Sequence, residues 1–362
     1  MLRGLALLLT LLLSARSVAA ESRVLRGPTM GTTYVITLPQ RHGAQGSASL
    51  KHTIDALLEA IEQCMSTYRP DSELSRLSAN PGTAWLPLSD QLFRVLAAAA
   101  QVSRDTAGAF DITVGPVVNV WGFGPEQRPP VPPTAAALAQ ARLRVGYRML
   151  ELAADPPRAR KARADLVLDL SAIAKGYAVD RLAELLDAEG YTDYLITIAG
   201  EVRARGRNAD NQPWQIGVAW PEVTSDAVAR VLQLTTGGLS TSGDYRQYFE
   251  YAGVRYSHEI DPATAAPMRH ALASVTVLHA SNTFADAYAT ALLVLGPERG
   301  PELATRLGLT ALFLRREATG FSASVVGTLA LAPCATPDVP AASVATAVPA
   351  ATMAAISHCS GQ

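Results

Sequence analysis

The chain has 362 residues, of which 49% are hydrophobic and 17% are charged, and its formal net charge is −1. This composition is typical of a globular protein that buries one large core or two smaller ones. It excludes a chain that is disordered throughout, and the near-zero charge excludes the basic surface of a nucleic-acid-binding protein, so no nucleic acid is expected as a partner.

The first twenty residues have the organisation of a secretory signal peptide. Arg3 supplies a positive start, residues 5–13 form an apolar core, and Val18-Ala19-Ala20 form a small-residue cleavage site. The sequence therefore predicts an exported, periplasmic protein. The apolar run is shorter than the ~20 residues that a membrane-spanning helix needs, and no cysteine follows it to carry a lipid. A signal peptide that stays attached would tether the protein, so peripheral association with the inner membrane is an open alternative.

The sequence contains three cysteines and an unusual C-terminal tail. Cys64 lies on the apolar face of a predicted helix, whereas Cys334 and Cys359 bracket the tail and either form a disulfide or stay apart. Residues 335–362 are rich in Ala, Pro, Ser and Thr and show little hydrophobic periodicity. This segment is predicted to be disordered.

Hydrophobic periodicity predicts helices in the first part of the chain and mainly strands afterwards. One helix runs from Leu50 to Met65 and delivers a turn at residues 66–72, and Asn282 is placed to cap a later helix that stops at Gly296. The other predicted elements are helices at 89–106 and 134–143, and strands at 194–198, 201–206, 214–219, 231–235, 273–279, 311–315 and 324–331. Because helices and strands do not alternate strictly, the pattern favours an α+β fold with largely antiparallel sheets flanked by helices.

Residues 169–180 place a strand-to-helix turn next to an unusual lysine. An apolar run at 166–168 gives way to Ser171 and Ala172, and a helix follows. The first turn of a helix leaves main-chain groups without helical partners, and these can face a phosphate or a metal. Lys175 is one of only three lysines in the chain. The same pattern is also compatible with ordinary packing.

Asp286 and Thr290 lie four residues apart on the helix that begins at Asn282, so their side chains share one face. Two hard oxygen ligands on one face suit Mg²⁺, which usually takes one or two carboxylates and leaves its other positions to water and substrate phosphates. The alternative is that Asp286 is a solvated surface acid and that Thr290 is a small packing residue.

Two further segments contain candidate functional side chains. The segment Ser257-His258-Glu259-Ile260-Asp261-Pro262 places a histidine at the end of a strand predicted at 254–257, just before a turn. His258 could act as a general base because the ordinary pKa of histidine is close to neutral pH, or it could be structural. Residues 240–245 are rich in small hydroxyl side chains and are interpreted as a polar loop that could contact a ligand.

The order of these segments along the chain is more specific than any one of them. Over residues 24–330 the chain resembles the ApbE family, the FAD:protein FMN transferases. The motifs that carry the resemblance are Met30-Gly31-Thr32, Ser66-Thr67-Tyr68, residues 110–116 with 121–124, the 169–180 stretch, residues 240–245, the His258 segment and the Asp286/Thr290 pair.

The resemblance implies a single T-fold-like domain and a Mg²⁺-dependent transferase. Such an enzyme cleaves its substrate FAD at the pyrophosphate, attaches FMN through a phosphoester to a threonine of an acceptor protein, and releases AMP. The acceptors implied by the resemblance are flavin-bearing subunits of membrane redox complexes.

The resemblance also assigns roles to individual residues. The metal ligands would be the main-chain carbonyl of Ala172 and the side chains of Asp286 and Thr290, and His258 would remove the proton of the acceptor threonine. Some members of the family carry an acidic residue at the position of Lys175, which implies contact through its main chain or aliphatic stem as much as through its charge. The residues implied to contact FAD are Met30, Thr67, Tyr68, Arg69, Ala109, Phe110, Asp111, Asp169, Lys175, Ser242, Asp244 and Ile260.

Two other functions fit the same residues. With water in place of the acceptor, the protein would be an FAD pyrophosphatase that releases FMN and AMP; Tyr68, a bulky residue at the predicted pocket, would favour transfer by excluding water. The second alternative is a non-catalytic periplasmic flavin-binding protein, which would need no metal.

Overall fold

The computed structural model describes residues 22–40, 47–126, 128–222, 227–331 and 345–346. The predicted signal peptide, Cys334, Cys359 and nearly all of the tail lie outside these ranges. The helices are α1 (Ser47–Met65), α2 (Glu73–Ala79), α3 (Asp90–Asp105), α4 (Gly115–Val120), α5 (Ala135–Arg142), α6 (Ala174–Ala188) and α7 (Asn282–Leu307). The strands are β1 (Ser22–Thr29), β2 (Thr32–Pro39), β3 (Leu86–Pro87), β4 (Leu150–Ala154), β5 (Pro157–Lys161), β6 (Tyr194–Ile198), β7 (Glu201–Arg205), β8 (Trp214–Ala219), β9 (Val228–Leu234), β10 (Thr236–Gly243), β11 (Tyr248–Tyr251), β12 (Val254–Ser257), β13 (Ile260–Asp261), β14 (Ala266–Pro267), β15 (Leu272–His279), β16 (Thr310–Arg316), β17 (Phe321–Val326) and β18 (Ala345–Thr346).

An 8-stranded sheet organises the molecule, in the order β1-β2-β6-β7-β10-β15-β16-β17. Every neighbouring pair in it is antiparallel. Smaller sheets are formed by β3-β5-β4, by β18-β8-β9, and by the pairs β11-β12 and β13-β14. The α+β prediction is therefore confirmed, and β6 and β8 have the predicted bounds.

Apolar layers cover both faces of the large sheet. Alternate residues of a strand point to opposite faces, so Ile196 joins the core under α1, α3, α6 and α7, whereas Leu195 joins the layer formed by Trp214 and Ile216 of β8. All five residues of β6 are buried because both of its faces are covered. Cys64 is buried on α1, as predicted, and is a free thiol whose pKa burial raises to about 12.

The prediction of a polar loop at residues 240–245 is wrong, because residues 240–243 belong to the central strand β10. The small side chains that resembled a loop have a packing reason: α7 lies directly across β10, with Ser242 Oγ 2.9 Å from Thr290 Oγ1. A Cβ on Gly238 would lie 2.0 Å from Asn282 Oδ1. Small residues therefore permit the close approach of helix and strand.

The prediction that Asn282 caps α7 is also wrong. The first turn of α7 is capped by Asp180 of α6, whose carboxylate accepts hydrogen bonds from the main-chain N–H groups of Asn282 and Thr283, both at 2.9 Å. The Asn282 side chain instead points into the protein and donates to the carbonyl of Val202 at 2.9 Å. The predicted stop at Gly296 is a break, with φ 83° and ψ −174°, after which helical structure resumes to Leu307.

The strand expected at 166–168 is not formed, and the Leu168 N–H instead donates to Ser78 Oγ at 3.1 Å. Other differences concern the edges of the sheets. The β1–β2 hairpin was not predicted, and β9 begins at Val228, before the predicted strand. Strand β17 ends at Val326, because the apolar residues after it pair separately with β9 through the Leu232–Leu331 bridge. The apolar pattern thus continues past the end of β17 because the residues after it contact β9, which lies outside the large sheet.

Candidate active site at the junction of helices α6 and α7

Helices α6 and α7 meet at Gly176, which has no room for a side chain. A Cβ at this position would lie 2.2 Å from the main-chain oxygen of Asn282 and 2.7 Å from Cβ of Asp286. The Gly176 N–H donates to Asp286 Oδ2 at 2.9 Å. The glycine thereby brings the start of α6 against the carboxylate of α7.

This contact changes the hydrogen bonding of the turn before α6. In a regular helix the Gly176 N–H would donate to the Ala172 carbonyl, four residues earlier. Among the described residues, none donates a hydrogen bond to that carbonyl. Lys175 spans the same turn, with Nζ donating to the Ser171 carbonyl at 3.0 Å. The predicted cradle at 169–180 thus has a main-chain oxygen that accepts no hydrogen bond from the described residues, in the turn just before the Gly176–Asp286 contact.

Asp286 and Thr290 share a face of α7, as predicted, and both point inward. Asp286 is only 3% exposed, which excludes the alternative of a solvated surface acid. Thr290 Oγ1 pairs with Ser242 Oγ of β10. The predicted ligand residues therefore lie between α6 and the sheet.

Two buried glutamates that were not predicted surround the same place. Glu201 is 3% exposed and Glu259 is 7% exposed, and Lys175 Nζ lies 3.6 Å from Glu201 Oε1. Burial is the main cause that raises the pKa of Glu259 to about 8. The negative charges of Asp244 and Asp286 also raise it, whereas the positive charge of Lys175 lowers it. Burial likewise raises the pKa values of Glu201 and Asp286. Burial alone would lower the pKa of Lys175, but the attraction of these two carboxylates is stronger and holds its pKa above the ordinary value.

The cluster holds three buried carboxyl groups and one lysine, so all three can ionise only when a further cation is present. Glu201, Glu259 and Asp286 face one cation, Lys175, and Glu201 Oε2 has no hydrogen-bond partner among the described residues. Buried charges are costly unless they are paired or coordinate a metal. The residues therefore fit a divalent cation with oxygen ligands. Within the described part of the chain, no three His, Cys, Asp or Glu side chains are arranged to hold a metal by themselves.

His258 follows β12, as predicted, and lies at the edge of this cluster. Its Nδ1 is 3.1 Å from the Gln247 carbonyl, so Nδ1 carries the proton and Nε2 is the basic nitrogen. The side chain is 32% exposed, and its Nε2 lies 3.7 Å from Glu259 Oε1. Burial of the ring, together with Lys175 and Arg246, lowers the pKa of His258 to about 4, so the imidazole is neutral at pH 7.

An aromatic wall connects His258 to the predicted nucleotide residues. Phe123 contacts the His258 ring edge-on at 6.4 Å between ring centroids. The Tyr68 hydroxyl donates to the Phe123 carbonyl at 3.5 Å, and its ring is 64% exposed. Partial burial raises the pKa of Tyr68, and the negative charge of Asp169 raises it further. Tyr68 and Asp169 are therefore neighbours. The main-chain N–H of Asp169 donates to the Ile112 carbonyl at 2.7 Å.

A second network holds Met30 beside the Thr67–Arg69 turn. Met30 has a positive φ of 48° at the β1–β2 hairpin, a strained conformation for a residue with a side chain. Its N–H donates to Glu62 at 2.8 Å, and Arg69 donates to the other oxygen of Glu62 at 3.1 Å. The half-buried Thr67 lies two residues before Arg69. Glu62, which was not predicted, thus connects two predicted segments.

Several predicted FAD residues have side chains that are already occupied by protein contacts. Asp111 accepts from Thr113 N–H at 2.8 Å and from Tyr147 N–H at 2.7 Å. Asp244 forms a two-pronged ion pair with Arg316, at 2.6 and 2.5 Å. Any contact of Asp111 or Asp244 with a nucleotide would therefore use main-chain groups or the remaining lone pairs.

The apolar residues among the predicted FAD contacts are positioned by packing. Phe110 is buried in the main core, next to Ala109, whose N–H donates to the Thr106 carbonyl at 3.2 Å. Ile260 is buried in a separate cluster with Trp121 and Tyr256. A surface cavity of about 400 Å³ lies elsewhere, and it is lined by Leu25, Ala48, Lys51, His52 and Asp55.

The architecture and these residues can be compared with known proteins. A family model described as the ApbE family matches residues 30–313. The chain belongs to the ApbE family. A Vibrio cholerae protein named FAD:protein FMN transferase is 42% identical over 311 residues, covering 86% of this chain and 92% of that protein. The protein of the same name from Haemophilus influenzae is 41% identical over 316 residues, covering 85% and 91%.

The structural comparison agrees with the sequence comparison. The structure named flavin transferase ApbE from Vibrio cholerae matches with a TM-score of 0.79 and 42% identity, covering 84% of this chain and 97% of that one. The resemblance to the ApbE family and the predicted fold are therefore confirmed. The roles assigned to single residues stay predictions, although the fold brings the Ala172 turn, Asp286, Thr290 and His258 to one buried acidic cluster.

Proposed function

We propose that this protein is an FAD:protein FMN transferase. The observation that supports this most strongly is that the predicted metal ligands and the predicted base border a single buried cluster of carboxyl groups. Relatives that match most of the chain carry this name. The proposed reaction takes FAD and a flavoprotein acceptor and releases AMP.

The metal is proposed to be Mg²⁺, held by the Ala172 carbonyl, Asp286 and Thr290. This donor set supplies one carboxylate, one hydroxyl and one main-chain oxygen, which suits an ion that keeps several positions for water and substrate phosphates. When bound, the ion would neutralise the charge that develops on the phosphate oxygens. The neighbouring Glu201 and Glu259 would raise the affinity of the site for a cation.

The acceptor group is proposed to be the hydroxyl of a threonine. His258 Nε2 would accept its proton, the threonine oxygen would form a bond to the phosphorus attached to riboflavin, and the bond from that phosphorus to AMP would break. Because the Gln247 carbonyl fixes the Nδ1–H, the ring presents Nε2 to the acceptor. The exposed Tyr68 and the half-buried Phe123 would cover the reacting groups and limit access of water.

The cellular setting is also a proposal. Residues 1–20 support export to the periplasm, and the acceptors would be flavin-bearing subunits of membrane redox complexes. In the part of the chain that the structure describes, no helix has the length and apolarity required to cross a membrane. Peripheral association would then depend on an uncleaved signal peptide, which fractionation with and without residues 1–20 would detect.

The proposed function is tested by incubating the protein with FAD, Mg²⁺ and a candidate acceptor domain. Mass spectrometry should detect one FMN group on one threonine of the acceptor, and an acceptor with that threonine changed to valine should gain none. Rapid release of FMN without acceptor would instead identify an FAD pyrophosphatase. Binding of FAD without turnover, at any metal concentration, would identify a flavin-binding protein.

His258→Ala tests the base. We expect the rate of transfer to fall by about 10²- to 10⁴-fold, the usual contribution of a general base. FAD affinity should change little, because the base acts only when the acceptor hydroxyl attacks. Rapid-mixing kinetics and FAD titration separate the two quantities. Parallel losses of FAD affinity and rate would contradict the assignment and indicate a structural histidine.

A further inference from the structure

Two exposed arginines lie next to the segment that carries His258. The main-chain N–H of His258 donates at 3.0 Å to the carbonyl of Gln247, the residue that follows Arg246. The main-chain N–H of the residue before Arg269 donates at 3.0 Å to the carbonyl of Glu259. The segments that carry the two arginines are therefore hydrogen-bonded to the predicted base and to the residue after it.

Each guanidinium group lies over a buried tyrosine ring. Arg246 Cζ is 5.3 Å from the ring centroid of Tyr245, and its Nη2 donates to the hydroxyl of that tyrosine at 3.4 Å. Arg269 Cζ is 5.3 Å from the ring centroid of Tyr256. The two rings are only 7% and 8% exposed. The ring attracts the face of the guanidinium, and the N–H groups at its edge stay free for a two-pronged bond to a carboxylate.

Neither arginine forms an ion pair with a carboxylate of the described residues. The charges near them are already neutralised, because Arg255 pairs with the exposed Glu250 of β11 at 3.4 Å and Asp244 pairs with Arg316. The two guanidinium groups are thus fixed in place and lack an anionic partner. Groups that are held in this way lose little conformational entropy when they bind a partner.

The β11–β12 hairpin beside the arginines has an exposed apolar end. Tyr251 and Val254 are directly opposite each other in the hairpin and are 48% and 40% exposed. They share a face with Phe249 and Tyr256, whose rings stack at 5.2 Å. Phe249 also stacks at 5.6 Å on Phe123 of the aromatic wall. Exposed tyrosine together with arginine is the composition of energetically important contacts in protein interfaces.

A protein acceptor has to cover this surface. A folded protein that brings a hydroxyl to His258 also brings the surface around that hydroxyl, ~800 Å² in an ordinary interface. The phosphates of FAD are instead proposed to meet a cation at the buried cluster, where Asp286 is 3% exposed. Because the two arginines are exposed to solvent, they face the side from which the acceptor arrives.

We propose that Arg246 and Arg269 are docking contacts for the acceptor protein and bind carboxylates on its surface around the acceptor hydroxyl. This inference rests on the proposed transferase function. Tyr251 and Val254 add apolar contact at the end of the hairpin. Two cations are fewer than the about four to eight of a segment that binds anionic lipids, which favours a protein partner over a membrane. The arginines thus select acidic acceptors and act on acceptor binding rather than on the chemical step.

The test compares wild type with the double variant Arg246→Gln/Arg269→Gln, using the candidate acceptor domain. We expect the KM for the acceptor, and its Kd measured without FAD, to rise by about 10-fold, while kcat and the KM for FAD stay within about threefold. In wild type, the KM for the acceptor should increase between about 50 mM and about 500 mM NaCl. This dependence on salt should weaken in the double variant.

The matched control is Arg148→Gln/Arg306→Gln, which removes the same two charges elsewhere. Arg148 is exposed and lies over the ring of Tyr147 at 5.5 Å, and Arg306 is exposed in the last turn of α7. This protein should bind the acceptor as wild type does. An equal rise of the acceptor KM in the control would show non-specific attraction and overturn the proposal.

Variants of the acceptor identify what the arginines bind. Changing its carboxylates around the modified hydroxyl to amides should raise the KM for wild type, with no further rise for the double variant. An unchanged acceptor KM in the double variant would overturn the proposal. A rise in the KM for FAD alone would assign the arginines to the nucleotide. Lost binding to phosphatidylglycerol vesicles, with an unchanged acceptor Kd, would assign them to a membrane surface.

Two measurements keep the proposal testable if a variant or the function fails. If the double variant does not fold, an acceptor KM of wild type that is independent of salt overturns the docking contacts equally. If wild type transfers no FMN to the acceptor, the transferase function is refuted. The acceptor Kd without FAD, compared between wild type and the double variant, then still decides whether the arginines bind that protein.

Discussion

Asp286 is held in a position that favours the binding of a cation and destabilises the metal-free protein. Its carboxylate is 3% exposed and accepts the Gly176 N–H at 2.9 Å, and burial raises its pKa. An ionised carboxylate in such a place destabilises the folded chain until a positive charge arrives. The same atoms therefore lower the stability of the metal-free protein and create affinity for Mg²⁺.

Asp286→Asn separates these two effects. Asn can still accept from Gly176, so we expect the metal-free Tm to stay the same or rise, while the increase in Tm on adding Mg²⁺ and the transfer activity are both lost. Thermal unfolding with EDTA and with MgCl2 measures the difference. Asp210→Asn, in an exposed loop, is the control and should respond to Mg²⁺ as wild type does. An undiminished Mg²⁺ response in Asp286→Asn would exclude this residue as a ligand.

At the level of elements, the site depends on how closely α6 approaches α7. Gly176 sets that distance, because the main chain of Asn282 occupies the space that a side chain at this position would need. Asp180, one turn further along α6, then fixes the first turn of α7 through four hydrogen bonds from residues 281–283. Hydrogen bonds from each helix to a carboxylate of the other thus hold the start of α6 against the first turns of α7.

Gly176→Ala should widen this junction. A Cβ 2.2 Å from a main-chain oxygen cannot be accommodated without moving a helix, and overpacking of this kind costs about 1–3 kcal/mol. We expect a lower free energy of unfolding and a Mg²⁺ affinity reduced by about 10-fold or more, since 1.4 kcal/mol corresponds to a factor of ten. Urea unfolding and Mg²⁺ titration of Tm provide the two measurements.

Gly190→Ala is the control for this substitution. Gly190 follows α6, has a φ of 83°, and has no neighbour within 4 Å of an added Cβ. The alanine should cost about 1 kcal/mol of backbone strain without changing the Mg²⁺ affinity. If both variants lost the Mg²⁺ response equally, the cause would be general destabilisation rather than the α6–α7 distance.

At the scale of the whole molecule, local patterns in the sequence predicted much of the fold, and contacts between distant segments explain the differences. An apolar run at residues 194–198 and an alternating pattern at 214–219, each bounded by turn residues, predicted the bounds of β6 and β8. Residues 240–243 were misread because their small hydroxyl side chains serve α7, which is distant in sequence. The Asp286/Thr290 face followed from helical spacing, whereas Asp180, Gly176 and Glu259 have functions that only tertiary contacts define.

The stability of the metal-free protein should fall between pH 6.5 and pH 8. Folding raises the pKa of Glu259 to about 8, so the folded state binds a proton more tightly than the unfolded state and loses stability as pH rises through that value. Folding lowers the pKa of His258 to about 4, which stabilises the protein as pH rises to its unfolded value near 6.5 and contributes nothing further above it. Below pH 6.5 the two effects oppose each other, and above it the loss from Glu259 is uncompensated, up to about 2 kcal/mol. Urea unfolding in EDTA at pH 6.5 and pH 8 measures the fall in the free energy of unfolding. Glu259→Gln should reduce this fall and Glu250→Gln should not. An equal fall in wild type and both variants would show that Glu259 does not titrate in this range.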